Sequence, residues 1–594
     1  MVHSMRVRRS SPALGVLLGF LLGAPTVPAV AQDGGWNPFK QWQQQDPPRP
    51  SKGLSRSDDP GADRAKLQPS ERPSGQRSRT VEHGELDPVM APDNSGLPLD
   101  LWRGLDLTTF EEHLSRLDLP PRSPVVHHLW RRVLLSAATP PTGAPSTDHF
   151  LALRLEALYR SGLLGDMTEV ITNSGSTGPL VLALSARKEI GLGRHAEGCR
   201  TITSLAAPSG GLPARLKGET QLLMGYCAAK AGDAPGADLA ASLAREEGVE
   251  AELPLEVLAG VASGGKPQVR LPKRVLLLDY RFLELLGPVN GAQMFDKAEP
   301  ALLAAFAQDS TADARLKIAA AETALRLNAL TPEAVANLYR RHEFSQSELS
   351  DPTVSRKDPL LRRALLFRGI ELSRSPAQQA RMAKVLLDDA RRSTAAVQTA
   401  RMLAPLLDNL RPGPDMDGFS EMAVEIALAA DQFDAARAWT DRNSRAQHWQ
   451  ALIDIADPKR HGGRLPSLSL IEEFAVRGRL TPQALHRIVT VLDALDIDVP
   501  IPLWDAASRT PQPPGGYLPD TGVLADLAQS AQRGDAGRTI LLVMRTLGSD
   551  GPEAANILAL GDAIRALKRV RLEEDARRMG LEALLPVWPR LAGN

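Results

Sequence analysis

The stretch Thr481-Pro482-Gln483-Ala484-Leu485-His486-Arg487-Ile488-Val489-Thr490-Val491-Leu492-Asp493-Ala494-Leu495 decides the fold class. A hydroxyl residue followed by proline marks a helix start. The side-chain oxygen accepts an orphan backbone N–H, and proline at the first helical position has no N–H to leave unsatisfied. Beyond this cap, Leu485, Ile488, Leu492 and Leu495 recur at helical spacing and form one apolar face. Gln483, His486, Arg487, Thr490 and Asp493 are expected to cover the other.

The same signals recur outward from this segment. Ser123-Pro124, Thr331-Pro332 and Ser375-Pro376 repeat the start, and Ser375 with Gln378 and Ser469 with Glu472 have capping-box spacing. Leu524, Leu527, Ala528 and Ala531 repeat the apolar period, while Val275 to Leu286, apolar nearly all round, predicts a central helix packed on two sides. Aromatic residues are only 4% of the 594, and Ala, Leu and Arg dominate, a composition that favours helix over sheet.

Short turn motifs separate the helices. Gly165-Asp166-Met167, Gly193-Arg194-His195, Gly232-Asp233-Ala234 and Gly534-Asp535-Ala536 each follow one helical pattern and open another, with Asp431-Gln432-Phe433 as a relative lacking glycine. In these turns the chain resembles tetratricopeptide-type helical repeats. That resemblance implies antiparallel helix pairs that bury their apolar faces by stacking on their neighbours, an α-solenoid. The expected fold is all-α: stacked helix pairs following a signal peptide and a disordered linker.

Residues 1–31 have the layout of a secretory signal. Arg6, Arg8 and Arg9 precede an apolar core from Ala13 to Ala24, and Ala29-Val30-Ala31 offers a small-residue cleavage site before Gln32. The core is shorter than the ~20 residues needed to span a bilayer. Residues 32–98, rich in Pro, Ser, Gly, Gln, Asp and Arg, bury too little apolar surface to offset their ordering entropy and are expected to form a disordered tether. Within it Trp36, Phe39 and Trp42 are spaced three residues apart, as on one face of a polyproline helix. They are either a docking motif for a partner groove or incidental hydrophobicity. Breaks at Gly264-Gly265-Lys266-Pro267 and at Pro511-Gln512-Pro513-Pro514-Gly515-Gly516 either divide the helical region into 99–265, 266–510 and 511–594 or are long loops inside one continuous superhelix.

No catalytic constellation stands out. Gly260 to Lys266 spells a phosphate loop, but Pro267 replaces its hydroxyl residue and no strand precedes it. Adjacent His127 and His128 point to different helix faces, and His342-Glu343 lacks the second histidine of a zinc-protease helix. Asn173 to Gly178 lacks nucleophile-elbow spacing and reads as a loop. Glu472-Glu473 and Glu573-Glu574-Asp575 lie beside arginines and read as solvated charged faces. Arg131-Arg132, Arg362-Arg363 and Arg577-Arg578 are expected to pair with acids at exposed helical spacing. No metal site or cofactor is expected. Lys+Arg and Asp+Glu are 70 each, so nucleic acid is not an expected partner.

The two cysteines, Cys199 and Cys227, complete the reading. The turns at Gly193 and Gly232 lie on one edge of a stacked array. Cys199 follows the first by six residues and Cys227 precedes the second by five, so both thiols sit roughly 8–9 Å from that edge on neighbouring helices. An oxidising compartment favours a disulfide between them; the alternative is two buried free thiols. The expectation is a periplasmic, non-enzymatic protein-interaction or scaffolding module of the bacterial envelope, whose partners are unidentified envelope proteins. Its rival is a peptidoglycan-type hydrolase carrying a carboxylate site on a helical body.

Overall fold

The computed structural model describes residues 90–591, apart from 94, 206–211, 266, 290, 354–360 and 461. The expected signal peptide with its cleavage site after Ala31, most of the tether, and Trp36, Phe39 and Trp42 lie outside the described residues.

The chain is all-α. An N-terminal group comprises α1 (Leu107–Ser115), α2 (Pro124–Leu135), α3 (Thr147–Arg160), α4 (Leu164–Ser174), α5 (Pro179–Gly191), α6 (His195–Ser204), α7 (Ala214–Lys230), α8 (Ala234–Glu246) and α9 (Glu252–Ala262). The middle of the chain runs through α10 (Leu277–Leu283), α11 (Pro300–Gln308), α12 (Ala314–Arg326), α13 (Pro332–Arg341), α14 (Gln346–Ser350), α15 (Arg362–Leu372), α16 (Pro376–Arg392), α17 (Ala396–Leu403), α18 (Ser420–Ala429), α19 (Phe433–Asp441), α20 (Trp449–Ala456), α21 (Ser469–Val476), α22 (Pro482–Ala494) and α23 (Ile501–Arg509). The last four helices are α24 (Val523–Arg533), α25 (Ala536–Leu547), α26 (Ile557–Arg569) and α27 (Glu573–Leu584). Successive helices pack as pairs, α5 on α6, α7 on α8, α11 on α12, α15 on α16 and α18 on α19. Packing continues across residues 265 and 510, since α10 lies against α9 and α5, and α22 against α26.

The hydroxyl–proline starts cap as their chemistry requires. Ser123, Thr331, Ser375 and Thr481 each accept the backbone N–H of the residue three positions on. The capping boxes differ from expectation. Gln378 lies beside the hydroxyl of Ser373, not the N–H of Ser375, because Ser373 itself takes that N–H. Ser469 is already helical, following a 3₁₀ turn over Pro466–Leu468. A complete box forms instead at Ser345 and Glu348.

One turn chemistry joins most pairs. A residue in the left-handed conformation follows the helix, and the next N–H bonds back to the carbonyl five residues earlier. Gly162, Gly193, Gly232 and Gly534 hold this position, with bonds such as Arg194 N to Glu189 O and Asp233 N to Ala228 O, each 2.9 Å. The first turn is therefore at Gly162, and Gly165 lies inside α4. Asn328, Thr394, Asp431, Asp496 and Arg571 take the same conformation and make the same bond without glycine.

Polar rungs then link one pair to the next at sequence separations of 31 to 35. Trp130 Nε1 donates to Ser161 Oγ, Arg187 bonds Glu156, the Tyr226 hydroxyl meets His195 Nδ1, Arg391 bonds Glu425, and Arg131 bonds Asp166. The Cys199–Cys227 disulfide is another link between pairs, joining α6 to α7 with Cα atoms 5.7 Å apart.

Two expectations about faces are corrected. The apolar segment from Val275 is helical only over Leu277–Leu283 and ends in a 3₁₀ turn. In α22 the supposed polar face is partly buried, because α26, α27 and α23 all pack around that helix. His486 Nε2 meets Thr510 O at 2.9 Å, and Arg487 donates to the carbonyls of Pro552, Glu553 and Ala555.

Candidate functional site

The array closes on itself. α1 and α2 pack against α25 and α27, bringing the two ends of the described chain together. Arg132 of α2 pairs with Asp575 of α27 at 2.6 Å and donates to Ser95 O at 2.7 Å. Val125 N donates to Glu582 Oε2 at 2.9 Å, and Arg122 N to Ser549 O at 2.9 Å. Gly537 N donates to Leu101 O at 2.8 Å. A Cβ on Gly537 would stand 2.5 Å from that oxygen, so the approach of α25 to the N-terminal segment requires glycine. A third strand of chain joins the seam through Asn328, whose side-chain amide donates to Arg122 O at 2.9 Å. The residues after α27 fasten to α18 and α20: Leu591 N donates to Glu421 Oε1, and His448 Nε2 to Pro589 O, both at 2.8 Å.

Buried charges line the stacked pairs. Arg187 lies between Glu156 and Glu219, with its guanidinium 4.0 Å from the centre of the Tyr159 ring. Burial pushes Glu156 up, but Arg187 and Arg215 outweigh it and hold the carboxyl below its ordinary value. Asp279 and Glu299 behave differently. Burial drives Asp279 up to about 7, against its hydrogen bond from Leu276, and burial also raises Glu299. Paired carboxyls with raised pKa values suggest acid–base chemistry. Here each accepts a backbone N–H at the start of α10, from Leu276 at 2.8 Å and Leu277 at 2.7 Å, so both serve as helix caps.

The other sequence candidates resolve into structural roles. His127 is buried and His128 exposed, on different faces of α2. His342 caps the end of α13 and meets the Phe344 ring edge to face. Gly175 ends α4 in the left-handed conformation, and Ser176 Oγ donates to Asp148. Gly260 lies in α9, Gly264 in the turn after it, and Lys266 outside the described residues. Glu473 pairs with Arg477 one turn on. The acidic triplet on α27 is not a solvated face: Glu573 and Glu574 pair with Arg577 and Arg578, but Asp575 is buried in the seam. The arginine doublets likewise reach across helices. Arg363 bonds Glu322 and Asp389, and the buried Arg577 donates to Ile455 O. Among the described residues no group of three or more His, Cys, Asp or Glu side chains could hold a metal ion, and no helix is long and apolar enough to cross a membrane.

The surface itself carries a feature that periodicity did not reveal. Ile501 and Trp504, one turn apart on α23, are 81% and 48% exposed. After the proline-rich loop that follows α23, Tyr517 pairs with the chain ahead of α26, its N–H donating to Ala554 O and its carbonyl accepting from Asn556 N. Tyr517, Leu518 and Leu558, which flank this pairing in sequence, are each largely exposed. Adjacent residues of α22 hold both groups, His486 at the end of α23 and Arg487 beside Ala555. Exposed large apolar side chains mark a contact area where they lie in one patch. The sequence signal available was Trp504 on a short helix and Tyr517 beside a proline-rich loop; exposure is not encoded locally.

No protein-family model matches the chain, and no curated protein or solved structure is significantly similar to it.

Proposed function

We propose that this chain is a non-catalytic interaction module of the bacterial cell envelope, exported through its N-terminal leader. Its partner-binding face comprises Ile501 and Trp504 of α23 with Tyr517, Leu518 and Leu558. The observation that carries the reading is the exposure of these five side chains on a closed helical frame. Aromatic and large aliphatic groups supply most of the energy at protein interfaces when a partner covers them. The disulfide and the absence of a membrane-spanning helix among the described residues are compatible with export.

The test compares the full mature chain with the Ile501→Ser/Trp504→Ser/Tyr517→Ser variant in affinity capture from envelope extract. Proteins held by the first and lost from the second, at equal helical content, support the reading. Identical captured sets would remove the face from it. Soluble fragments released from purified peptidoglycan by the mature chain would replace it with the hydrolase reading.

A further inference from the structure

Between α9 and α10 the chain runs from Pro267 to Pro272 without helix, turn or bend. Both ends of this strap are fixed. A Cβ on Gly260 would stand 2.3 Å from Pro267 Cδ, so α9 receives the strap at a residue without a side chain. At the far end Val275 N donates to Lys297 O and Val275 O accepts from Glu299 N, both at 2.9 Å. Between these anchors the main chains of Gln268, Val269, Arg270 and Leu271 make no hydrogen bond among the described residues. Arg270 is exposed, and its guanidinium has no partner there either. Lys266, Arg270, Lys273 and Arg274 are the charged residues from 257 to 278, and no acid interrupts them.

The strap borders an open cleft of about 250 Å³. Leu271 lines it together with Leu283, Leu286, Val289 and Met294, and Gln293 is the one polar side chain among the described lining residues. The volume exceeds the ~150 Å³ of a cavity that holds benzene and falls short of the ~300–1,000 Å³ of small-molecule sites, a size for one large aliphatic side chain. Of the acids near the other wall, Glu284 is engaged by Arg281 at 2.8 Å, and the exposed Asp296 is followed by Lys297. Successive side chains of an extended segment point to opposite sides, so Leu271 serves the cleft while Arg270, its Cα about 3.8 Å away, is presented on the other side. We propose that the strap binds an acidic peptide as an added strand, with a leucine-sized anchor in the cleft and the carboxylates on either side of it drawn to Arg270 and the strap's other cations. The unpaired N–H and C=O groups of residues 268–271 select a peptide over an acyl chain, which has no main chain to meet them. The run of cations selects acids. None of the exposed apolar side chains of α23 takes part, so this site does not depend on them.

Isothermal titration of the full chain with the capped peptide Glu-Asp-Leu-Asp-Glu tests the site. We expect one site with Kd below about 1 mM that weakens as salt rises. Replacing the peptide's leucine by alanine should weaken binding roughly tenfold or more, and replacing its acids by amides should remove the salt dependence. In the protein, Gln293→Trp fills the cleft from an exposed position and should weaken binding roughly tenfold or more, with helical circular dichroism unchanged. Arg270→Glu, also exposed, should weaken it roughly threefold or more, and it serves if the first variant does not fold. Three results would overturn the proposal: no saturable heat with the parent peptide, equal binding of the leucine and alanine peptides, or variants that bind like the parent. Flotation with phosphatidylglycerol vesicles that Arg270→Glu abolishes, without peptide binding, would assign the strap to an anionic membrane instead.

Discussion

Arg132 and Asp575, 443 residues apart in sequence, form an ion pair in which one guanidinium nitrogen reaches both carboxylate oxygens, at 2.6 and 2.8 Å. The carboxylate is 3% exposed and the guanidinium 19%. Removing one partner of such a pair leaves the other desolvated and uncompensated, so Asp575→Asn should cost about 2–4 kcal/mol. Arg122 and Asp550 cross the same seam at 3.1 Å with more than half of each side chain exposed. There Asp550→Asn should cost less than about 1 kcal/mol. Urea denaturation, with hydrogen exchange followed in α2 and α27, separates the two. Equal losses would mean that the seam does not depend on its buried pair.

The disulfide gives a second expectation. Cys199 and Cys227 close a loop across 28 positions of sequence, which in the chain-entropy treatment stabilises the folded state by about 3–4 kcal/mol. Protein isolated without reductant should carry no alkylatable thiol until it is reduced. Reduction should then lower protection in α6 and α7 before it affects α22 to α27, because each helix pair depends most on its neighbours. Two alkylatable thiols without reductant would count against the bridge forming in the cell.

The pH dependence of stability has a defined shape. Burial raises Glu582 and Asp279 from ordinary values of 4.5 and 3.8 to about 7. The folded state therefore holds these protons more tightly, and stability rises as pH falls through 7 toward 4.5, by about 1.4 kcal/mol per unit for each group. Burial lowers His113 to about 4 and His127 to about 3, from 6.5. The unfolded chain takes up those protons first, so each histidine removes stability at the same rate as pH falls below 6.5. From these four groups we expect a small gain between pH 7.5 and 6.5, a plateau down to about 4.5, and below it a loss of at most about 1.4 kcal/mol per unit that ends near pH 3. Glu582→Gln should stabilise the protein by about 1–3 kcal/mol at pH 8 and by little at pH 5, because an amide oxygen can still accept the Val125 N–H. A variant with the parent's slope above pH 6.5 would remove Glu582 from this account.

What could be read from the sequence followed the range of the interactions. A cap such as Thr481 with Pro482 is complete within four residues, and each hydroxyl–proline start begins a helix. The helical period of α22 was legible, but its second buried face was not. Arg487 finds its acceptors at Pro552, Glu553 and Ala555, well over 60 positions away, and nothing in the local pattern separates a buried arginine from a solvated one. The closure of the array lay further still beyond periodicity, since Arg132–Asp575 and Val125–Glu582 each join residues more than 440 apart.

The turns were half legible because glycine is only one way to make them. At Gly193, φ is +80°, and a Cβ would come within 3.3 Å of the Arg281 guanidinium, so Gly193→Ala meets both a conformational cost and a neighbour. At Thr394 the same turn places a β-branched residue at φ +56°, where its Cβ crowds the backbone. The bond from Ala395 N to Ala390 O, 3.0 Å, forms nonetheless. Packing of α16 on α17 holds the turn against this local preference. Thr394 is exposed, and its hydroxyl bonds only the carbonyl of Ser393. Thr394→Gly should therefore relieve the strain at little other cost and stabilise the protein by about 0.5–1 kcal/mol, whereas Gly193→Ala should destabilise it by about 1–2 kcal/mol. Opposite shifts in urea midpoint, with unchanged helical circular dichroism, are the expected result. A loss of stability in Thr394→Gly would show that Thr394 supports the turn in a way its left-handed backbone does not reveal.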